Sequence, residues 1–315
     1  MKRFCSHPSI LANAVAVVML VVSGAGCQRT QPLYKDSQLM MGTIIEVISP
    51  DRNAAGIAFS EIRRIDDLLS RFKDDSEISR LNREGRLRVS PDTLLVIKKS
   101  GQFWQATQGA FDITAAPLIE LWGFYDRDYR LPSDSEIQER LALIGFDKIK
   151  IDGNMVEFKI DGMKIDLGAI AKGFAIDCAV QELRQAGIDS ALLNAGGDIY
   201  CLGDKRGIPW SVAIRTGVNL ISSGDLKLKD KAVATSGNYE QYFSVDGVRY
   251  SHILNPRTGK PAETDSASVT VIADDCLTAD ALATSVFVMG KDSASKLAER
   301  FNARIMTYAD VQNNK

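Results

Sequence analysis

One histidine attracts attention because the sequence contains only two. His7 lies near the start of the chain in an apolar leader, and His252 lies in the stretch SHILNPRTGKP, residues 251–261. An imidazole changes protonation near neutral pH, so it can take a proton from an attacking hydroxyl group. His252 is therefore a candidate general base, and the alternative is a purely structural ring beside an Asn-Pro turn.

A carboxylate and a hydroxyl recur at helical spacing in CLTADALATSVFVMG, residues 276–290. Asp280 and Thr284 are four residues apart, which places both side chains on one face of a helix. With a nearby backbone carbonyl they would suit a hard cation such as Mg²⁺, which takes few protein ligands and completes its shell with water and phosphate oxygens. The alternative is that Thr284 bonds to its own helix backbone while Asp280 faces water.

A lysine lies between two glycines in DLGAIAKGFAID, residues 166–177. Gly168 and Gly173 flank Lys172 at the predicted start of a helix, a junction that can present backbone N–H groups and an ammonium to phosphate. The spacing matches neither the GxxxxGK[ST] loop nor the GxGxxG fingerprint. The segment predicts a phosphate site or, alternatively, an ordinary turn with a solvated lysine.

Two further segments combine glycines with polar residues. NAGGDIY (194–200) places Gly196 and Gly197 after an apolar strand, where they either let a ligand approach the backbone or simply turn the chain. ATSGNYEQYF (234–243) places Thr235 and Ser236 before Gly237 at a predicted bend, where hydroxyl groups usually cap local hydrogen bonds. Taken alone, neither segment shows whether its residues bind a ligand or only form a turn of the chain.

The elements that would position these residues follow from hydrophobic periodicity and turn chemistry. TIIEVIS (43–49) is typical of a strand, and Ala58, Ile62, Ile65, Leu69 and Phe72 recur at helical spacing. The other predicted helices begin at Ser90-Pro91 and after Pro132, span 170–186, and lie near 277–289 and 292–301; predicted hairpins turn at 152–154 and 245–248. Because strands and helices do not alternate strictly, the sequence predicts an α+β fold rather than a doubly wound one.

The first 26 residues are predicted to be a signal peptide. Lys2 and Arg3 precede an apolar run from Ile10 to Val22 that is too short to span a membrane, and small residues follow. Cys27 is then expected to become a lipidated first residue, although Gly24 stands where that pattern usually has leucine; cleavage after Ala25 is the alternative. Residues 27–40 are expected to be the lipidated cysteine and a polar tether.

Composition is that of an ordinary globular body. Removal of residues 1–26 takes away Lys2 and Arg3 and leaves 36 basic against 40 acidic residues, a net charge of −4. The absence of a basic run argues against a nucleic-acid partner.

The body of the chain has three widely spaced cysteines, Cys178, Cys201 and Cys276. Because three is an odd number, each is expected to be a small buried side chain, and one disulfide between two of them remains the alternative.

Seven segments occur together in an order that resembles the ApbE family of FAD:protein FMN transferases. They are MGT (41–43), GAFDITAAPLIELWGF (109–124), DLGAIAKGFAID, NAGGDIY, ATSGNYEQYF, SHILNPRTGKP and CLTADALATSVFVMG. The resemblance covers the chain from about Met41 to its end, with Asn255 at a position where many relatives have Asp. It implies an α+β fold over 41–315, with mixed sheets and packed helices in a T-fold-related, two-lobed single body.

The resemblance also implies a reaction and the residues that perform it. FAD would be split at its pyrophosphate, FMN would pass to a Thr or Ser hydroxyl of an acceptor protein as a phosphoester, and AMP would leave, with Mg²⁺ as cofactor. Asp280, Thr284 and the carbonyl of Ala169 would hold Mg²⁺, and His252 and Lys172 would be catalytic, Lys172 facing the pyrophosphate. Residues expected around the flavin and adenosine are Met41, Asp112, Asp166, Gly196, Gly197, Ser236 and Gly237.

The expected acceptors are flavoprotein subunits of membrane electron-transport complexes, such as the sodium-translocating NADH:quinone oxidoreductase. The enzyme would then lie on the periplasmic side of a membrane, anchored through lipidated Cys27. Two other functions remain open from the sequence: an FAD pyrophosphatase that uses water on the same site, and a non-catalytic FAD-binding lipoprotein. Storage needs none of Asp280, Thr284 and His252, so their joint presence argues against it.

Overall fold

A seven-stranded antiparallel sheet forms the centre of the fold. The structure, a computed structural model, describes residues 32–214, 226–239, 241–264 and 266–309. In chain order the strands are β1 (Tyr34–Met40), β2 (Thr43–Ser49), β3 (Arg86–Arg88), β4 (Ile149–Asp152), β5 (Met155–Phe158), β6 (Ala191–Ala195), β7 (Asp198–Leu202), β8 (Trp210–Val212), β9 (Leu226–Leu228), β10 (Lys231–Gly237), β11 (Tyr242–Val245), β12 (Val248–Ser251), β13 (Ser266–Ala273) and β14 (Arg304–Ala309). The central sheet has the order β1-β2-β6-β7-β10-β13-β14.

Helices cover one face of this sheet, called here the helix face. In chain order the helices of the described residues are α1 (Ala54–Leu69), α2 (Glu77–Glu84), α3 (Pro91–Ala106), α4 (Ala116–Leu121), α5 (Asp134–Leu141), α6 (Ala171–Gln185), α7 (Cys276–Met289) and α8 (Ala294–Arg300). Helix α1 packs on β1 and β2, α6 on β6 and β7, and α7 on β10 and β13. Alternate residues of β2, Ile45 and Val47, point into the largest apolar cluster, which lies between the sheet and these helices.

The opposite face, called here the outer face, is covered only in part. The hairpin β8–β9 lies on it and buries Trp210 and Leu228 against Leu192, Cys201 and Val233 of the sheet. A third apolar cluster joins α4 and α5 to the hairpin β11–β12. These two small hairpins leave room on the outer face near the turns β1–β2 and β6–β7.

The α+β class is confirmed, while all pairings between the described strands are antiparallel, so the expected mixed sheets are in fact antiparallel. Ser90 caps α3 through Thr93 N–H and Ser133 forms a capping box with Glu136, as their sequence patterns predict. Both predicted two-residue hairpin turns form, between β4 and β5 and between β11 and β12. At these places, local capping and turn chemistry was therefore sufficient to predict the structure from the sequence.

Three sequence predictions are wrong. Phe72 does not continue the apolar stripe of α1, because the helix ends at Leu69 and the Phe72 side chain is 71% exposed. Thr235, Ser236 and Gly237 form the end of strand β10 and not a bend, because the whole segment pairs with β13. The tether cannot extend to residue 40, because Tyr34–Met40 pair with β2 along their full length.

The polar residues of β1 suit an exposed edge strand, and this explains why they resemble a tether in the sequence.

The predicted signal peptide and Cys27 lie outside the described residues. Within the described ranges, no helix is both long and apolar enough to cross a bilayer. Cys178, Cys201 and Cys276 are unbridged, and burial raises the pKa of Cys178 and Cys201 to about 12.

Candidate active site

Most of the predicted site residues line one cavity of about 320 Å³ at the end of the central sheet. They are Asp112, Asp166, Ala169, Lys172, Gly196, Ser236, His252, Asp280 and Thr284. The wall facing them is aromatic and includes Phe72, Phe111, Phe124 and Tyr125. A cavity with aromatic walls and a charged floor has the chemistry to hold a planar ring joined to a phosphate.

A second cavity, of about 860 Å³, adjoins the first on the outer face of the sheet. The two share Lys172, Gly196, Thr235, Gln241 and His252. The second also takes in the predicted residues Met41 and Gly197. Gly237 is not among the described lining residues of either cavity; a Cβ there would lie 2.4 Å from the ring of Tyr239, so this position lacks room for a side chain.

Lys172 lies between two buried carboxylates. Its Nζ is 3.1 Å from Asp198 Oδ2 and 3.5 Å from Asp280 Oδ2, and it also donates a hydrogen bond of 3.2 Å to the carbonyl of Gly168. The side chains of Asp198 and Asp280 are 6% and 5% exposed. Two carboxylates and one ammonium leave this group with a net negative charge, and a divalent cation would offset it.

Helices α6 and α7 approach closely at this point because α6 has a glycine there. A Cβ on Gly173 would lie only 2.4 Å from the carbonyl oxygen of Cys276, the first residue of α7. The same contact lets Gly173 N–H donate a hydrogen bond of 3.2 Å to Asp280 Oδ2. Gly173 therefore fixes one oxygen of the carboxylate that was predicted to bind metal.

Asp177 strengthens this contact one turn further along α6. Its carboxylate accepts hydrogen bonds of 2.7 and 2.8 Å from the N–H groups of Cys276 and Leu277, so it satisfies two free donors at the start of α7. Burial raises the pKa of Asp177 to about 7, even though these two hydrogen bonds lower it. Asp177 thus holds in place the helix that carries Asp280 and Thr284.

The hydroxyl of Thr284 faces the sheet. Its Oγ1 lies 3.2 Å from Ser236 Oγ in β10, and Asp280 is buried against α6 instead of facing water. The alternative in which Thr284 bonds to its own helix backbone while Asp280 faces water is therefore not what the structure contains, because Asp280 is buried. Asp280, Thr284 and Ala169 line the same cavity. Their carboxylate, hydroxyl and carbonyl oxygens are the donor types that Mg²⁺ takes.

The site is too poor in side-chain ligands to enclose a metal by itself. Among the described residues, no group of three or more His, Cys, Asp or Glu side chains converges on one point. A cation held here would complete its shell with water or substrate oxygens, which is usual for Mg²⁺ at phosphates. The residues present therefore fit a substrate-dependent Mg²⁺ site better than a closed structural one.

His252 is held by the backbone of a single residue. Its Nδ1 lies 2.9 Å from the carbonyl oxygen of Gln241, and its own N–H donates to the same oxygen at 3.1 Å. Because a carbonyl can only accept, Nδ1 must carry the proton, which leaves the lone pair on Nε2. Burial lowers the pKa of His252, and the charge of Lys172 lowers it further. The neutral form, which is the form able to act as a base, is therefore favoured.

Gln241 also connects this histidine to the aromatic wall. Its side-chain Nε2 donates a hydrogen bond of 3.0 Å to the carbonyl of Phe124, and the rings of Phe124 and His252 meet edge to face at 6.4 Å. Gln241 lines both cavities. It was missed in the sequence because a backbone carbonyl carries no residue-type signal.

Asp166 and Asp112 hold the loops around the first cavity. Asp166 accepts hydrogen bonds from Gly168 N–H at 2.6 Å and Tyr125 Oη at 2.9 Å, and burial raises its pKa. Asp112 Oδ1 accepts from the N–H and the hydroxyl of Thr114, at 2.8 and 2.6 Å, and burial raises its pKa as well. Each carboxylate lines the cavity and also shapes its wall.

Asp198, Phe72 and Tyr125 were missed as site residues by sequence reasoning. Asp198 follows the Gly196-Gly197 pair directly, so the motif NAGGDIY contained the signal, but only the structure brings this residue to Lys172. Phe72 and Tyr125 meet edge to face at 5.9 Å from segments far apart in the chain. No sequence pattern in either segment predicts this contact between the two rings.

Comparison with known proteins agrees with this geometry. The model of the ApbE family matches residues 41–308. The chain belongs to the ApbE family. The matched range includes every residue assigned above to the two cavities, so family membership applies to the site as well as to the fold.

Two curated members of the ApbE family illustrate the similarity. The FAD:protein FMN transferase of Vibrio cholerae is 36% identical over 91% of this chain and 89% of its own length. The FAD:protein FMN transferase of Haemophilus influenzae is 31% identical over 94% of this chain and 92% of its own length. Each alignment therefore covers nearly the full length of the relative.

Solved structures of ApbE proteins have the same fold. The flavin transferase ApbE from Vibrio cholerae matches with a TM-score of 0.78 at 33% identity, covering 90% of this chain and 95% of the other. The flavinyl transferase ApbE of Pseudomonas stutzeri in its apo form matches with a TM-score of 0.79 at 30% identity, covering 89% and 91%. The expected family fold is confirmed.

Proposed function

We propose that this chain transfers FMN from FAD to a Thr or Ser hydroxyl of an extracytoplasmic acceptor flavoprotein, with Mg²⁺ as cofactor. The observation that carries the proposal is one continuous site in which Lys172, Asp280 and Thr284 face His252 beside an aromatic wall. The names of the relatives support flavin transfer from FAD. The metal is inferred from the donor groups, and the acceptor class is what the resemblance to the ApbE family implies.

The chemistry assigned to the residues balances as a single displacement. The acceptor oxygen attacks the phosphorus of the FMN half, the bond from that phosphorus to the bridging oxygen breaks, and AMP leaves with the bridging oxygen. His252 Nε2 takes the proton of the attacking hydroxyl, because Nδ1 already donates to Gln241. Asp280, Thr284 and the Ala169 carbonyl would hold Mg²⁺, which would supply charge neutralisation at the phosphate oxygens.

Lys172 supplies fixed positive charge beside the same phosphates. Its ammonium is already oriented by Gly168, Asp198 and Asp280, so no reorganisation is needed when the pyrophosphate arrives. The aromatic wall accounts for ring binding, and FAD, the substrate in the names of the relatives, has both the ring and the pyrophosphate that this site would bind.

The proposal extends to location. A leader of signal-peptide type and Cys27 favour a lipid anchor on the periplasmic side of a membrane, where subunits of electron-transport complexes would be the acceptors. Metabolic labelling with palmitate tests the anchor: the label should be lost in Cys27→Ala. Labelling that survives the substitution would contradict it.

The decisive assay follows two products of one reaction. The full chain is incubated with FAD and Mg²⁺, with or without a recombinant flavin-free acceptor subunit of the sodium-translocating NADH:quinone oxidoreductase. AMP release is measured together with flavin fluorescence that stays on the acceptor through a denaturing gel. Fluorescence that requires acceptor and is abolished by EDTA supports the proposal.

The same assay identifies the other possible functions. Rapid AMP release with no labelled acceptor would make the chain an FAD pyrophosphatase. FAD binding with neither AMP release nor labelling would make it a storage protein. Labelling that persists in EDTA would remove Mg²⁺ from the proposal while leaving the transfer intact.

A further inference from the structure

An exposed aliphatic pair lies beside the second cavity. Leu39 of β1 is 79% exposed and Ile44 of β2 is 63% exposed, and the two residues are direct partners across the antiparallel hairpin. Cross-strand partners point to the same side of a sheet. The hairpin therefore presents two adjacent aliphatic side chains to solvent.

The pair lies on the outer face of the sheet, the face that bears the second cavity. Along β2, Ile45 and Val47 point into the helix-face core, so alternation places Ile44 and Glu46 on the outer face. Asn194 and Ile199, which continue that face on β6 and β7, line the second cavity. The exposed pair and the cavity wall thus belong to one surface.

This surface is continuous with the catalytic group. Gly196 N–H donates a hydrogen bond of 3.3 Å to the carbonyl of Ile44, and Gly196 lines both cavities together with Lys172 and His252. The row Leu39, Ile44, Gly196 therefore runs from the sheet edge to the reacting region. Since neighbouring strands are about 4.8 Å apart, its length is roughly 10 Å.

The protein's own preceding segment enters this hairpin elsewhere. The chain joins β1 at Tyr34, which pairs with Ser49, whereas Leu39 lies near the turn at the other end of the hairpin. A salt bridge between Lys35 and Glu46 separates the two ends on the outer face.

We propose that Leu39 and Ile44 form the docking surface for the acceptor protein, which places apolar side chains on them while its hydroxyl enters the cavity at His252. An extended segment advances about 3.3 Å per residue, so about three residues of the acceptor would span the row from Leu39 to Gly196. This inference rests on the proposed function, because it names the surface by which the same site selects its acceptor.

The test removes the aliphatic surface and leaves the cavity unchanged. The double variant Leu39→Ser/Ile44→Thr is compared with the wild-type full chain in the assay with the acceptor subunit named above. The KM for acceptor should rise about tenfold, the usual effect of losing a central apolar contact, while kcat and FAD affinity stay unchanged. FAD affinity is measured by quenching of flavin fluorescence.

Ile208→Thr provides the matched control. Ile208 has the same residue type as Ile44 and is 64% exposed, but it does not line either cavity. This variant should keep the wild-type KM for acceptor. Equal thermal unfolding midpoints for the three proteins would confirm that the substitutions leave the fold intact.

Several results would overturn the inference. They are an unchanged KM for acceptor in the double variant, an equal rise in Ile208→Thr, or a parallel loss of FAD affinity. A shift in self-association, seen by sedimentation velocity without a change in KM, would assign the surface to a second copy of this chain. If the wild type labels no acceptor, the proposed function itself fails, and this outcome is recognised before any variant is compared.

Discussion

The two faces of the central sheet hold their parts of the site in different ways. On the helix face, Asp280 and Lys172 are fixed by α6 and α7, two helices in direct contact through Gly173 and Asp177. On the outer side, His252 depends on one carbonyl, that of Gln241, and the surrounding hairpins are small. The groups proposed to bind phosphate and metal are therefore held by packing, whereas the proposed base is held by a local hydrogen bond.

This difference indicates that the helix face and the outer face have different roles in the proposed site. Charged groups taken from water need a rigid environment because their interaction energy depends steeply on distance. A neutral imidazole needs only the correct tautomer and access to its substrate. The helix face is thus expected to tolerate little change, and the outer face is expected to be the side where acceptor specificity can vary.

The largest effect is expected from Asp280→Ala, which removes the only carboxylate among the predicted metal ligands. Transfer of FMN should fall about 10³-fold, because charge neutralisation at the phosphates is lost and Lys172 loses one of its partners. Rates are measured by in-gel fluorescence at saturating FAD and several Mg²⁺ concentrations. The exposed Asp292→Ala serves as control and should behave as wild type.

Activity of Asp280→Ala at the wild-type level would contradict the distinction between the two faces, since the part of the site held by the helix face would then be dispensable. If instead the variant needs more Mg²⁺ but reaches the same maximum rate, the role of the helix face is narrowed to metal binding, because the chemistry would be retained.

His252→Ala should reduce transfer less, by about 10²-fold, which is the usual contribution of a general base. FAD binding should persist, because the aromatic wall and Lys172 are unchanged. In the wild type the lowered pKa of His252 keeps the base neutral at physiological pH, so the rate should fall only as the pH drops below the ordinary histidine value of 6.5. The measurement is the pH–rate profile from pH 5 to 8.

The variant's profile provides the check on His252. Its residual rate should lack the acidic decline of the wild type. A profile with the same decline in both proteins would assign the titration to another group.

Gly173→Ala tests how rigid the contact between α6 and α7 is. The added Cβ would meet the carbonyl of Cys276 at 2.4 Å, and backbone cannot move away as a flexible side chain can. We expect a loss of about 2 kcal/mol in the free energy of unfolding, measured by urea denaturation. Gly56→Ala in α1 is the matched control, because a Cβ there meets nothing within 4 Å, and it should stabilise by about 0.5 kcal/mol.

Equal stability of Gly173→Ala and Gly56→Ala would show that the two helices can separate freely. The division between a packed and a locally held half would then be lost.

The last prediction concerns the pH dependence of stability. The pKa of Asp177 is raised from 3.8 to about 7 in the folded state, so the fold holds a proton that the unfolded chain releases. Stability should therefore decrease as the pH rises from about 4 to 7, by at most about 1.4 kcal/mol per pH unit. Asp177→Asn should lack this part of the slope, measured as the difference from wild type in urea unfolding at each pH. Parallel slopes would contradict the assignment.

The sequence predicted features that are encoded locally. The cap at Ser90, the capping box at Ser133 and the two-residue turn at Asp246-Gly247 each depend on neighbours within a few residues, and each formed as expected. The pairing of Asp280 with Thr284 also follows from helical periodicity. Their closeness in space to Lys172 and His252 came from resemblance to a family, not from any local pattern.

The rest depends on contacts between distant segments. Asp198 reaches Lys172 only because β6 and β7 fold back beside α6, and Phe72 contacts Tyr125, a residue 53 positions later in the chain. The strand β1 looks like a tether because an edge strand keeps one side in water and can stay polar. Thr235 and Ser236 look like a bend because glycine follows them, yet pairing with β13 extends them.

The order of strands in the central sheet has a consequence for how the protein is made. Strand β2 pairs with β6, so Ile45 must find Ala195, and the sheet is completed only when β13 and β14 join near the end of the chain. Contacts of such long sequence separation slow folding, because loop closure must precede any stabilising gain. The residues of the proposed site therefore come together late: a chain that ends before α7 contains His252 and Lys172 but not Asp280, so the proposed activity requires synthesis to have passed α7.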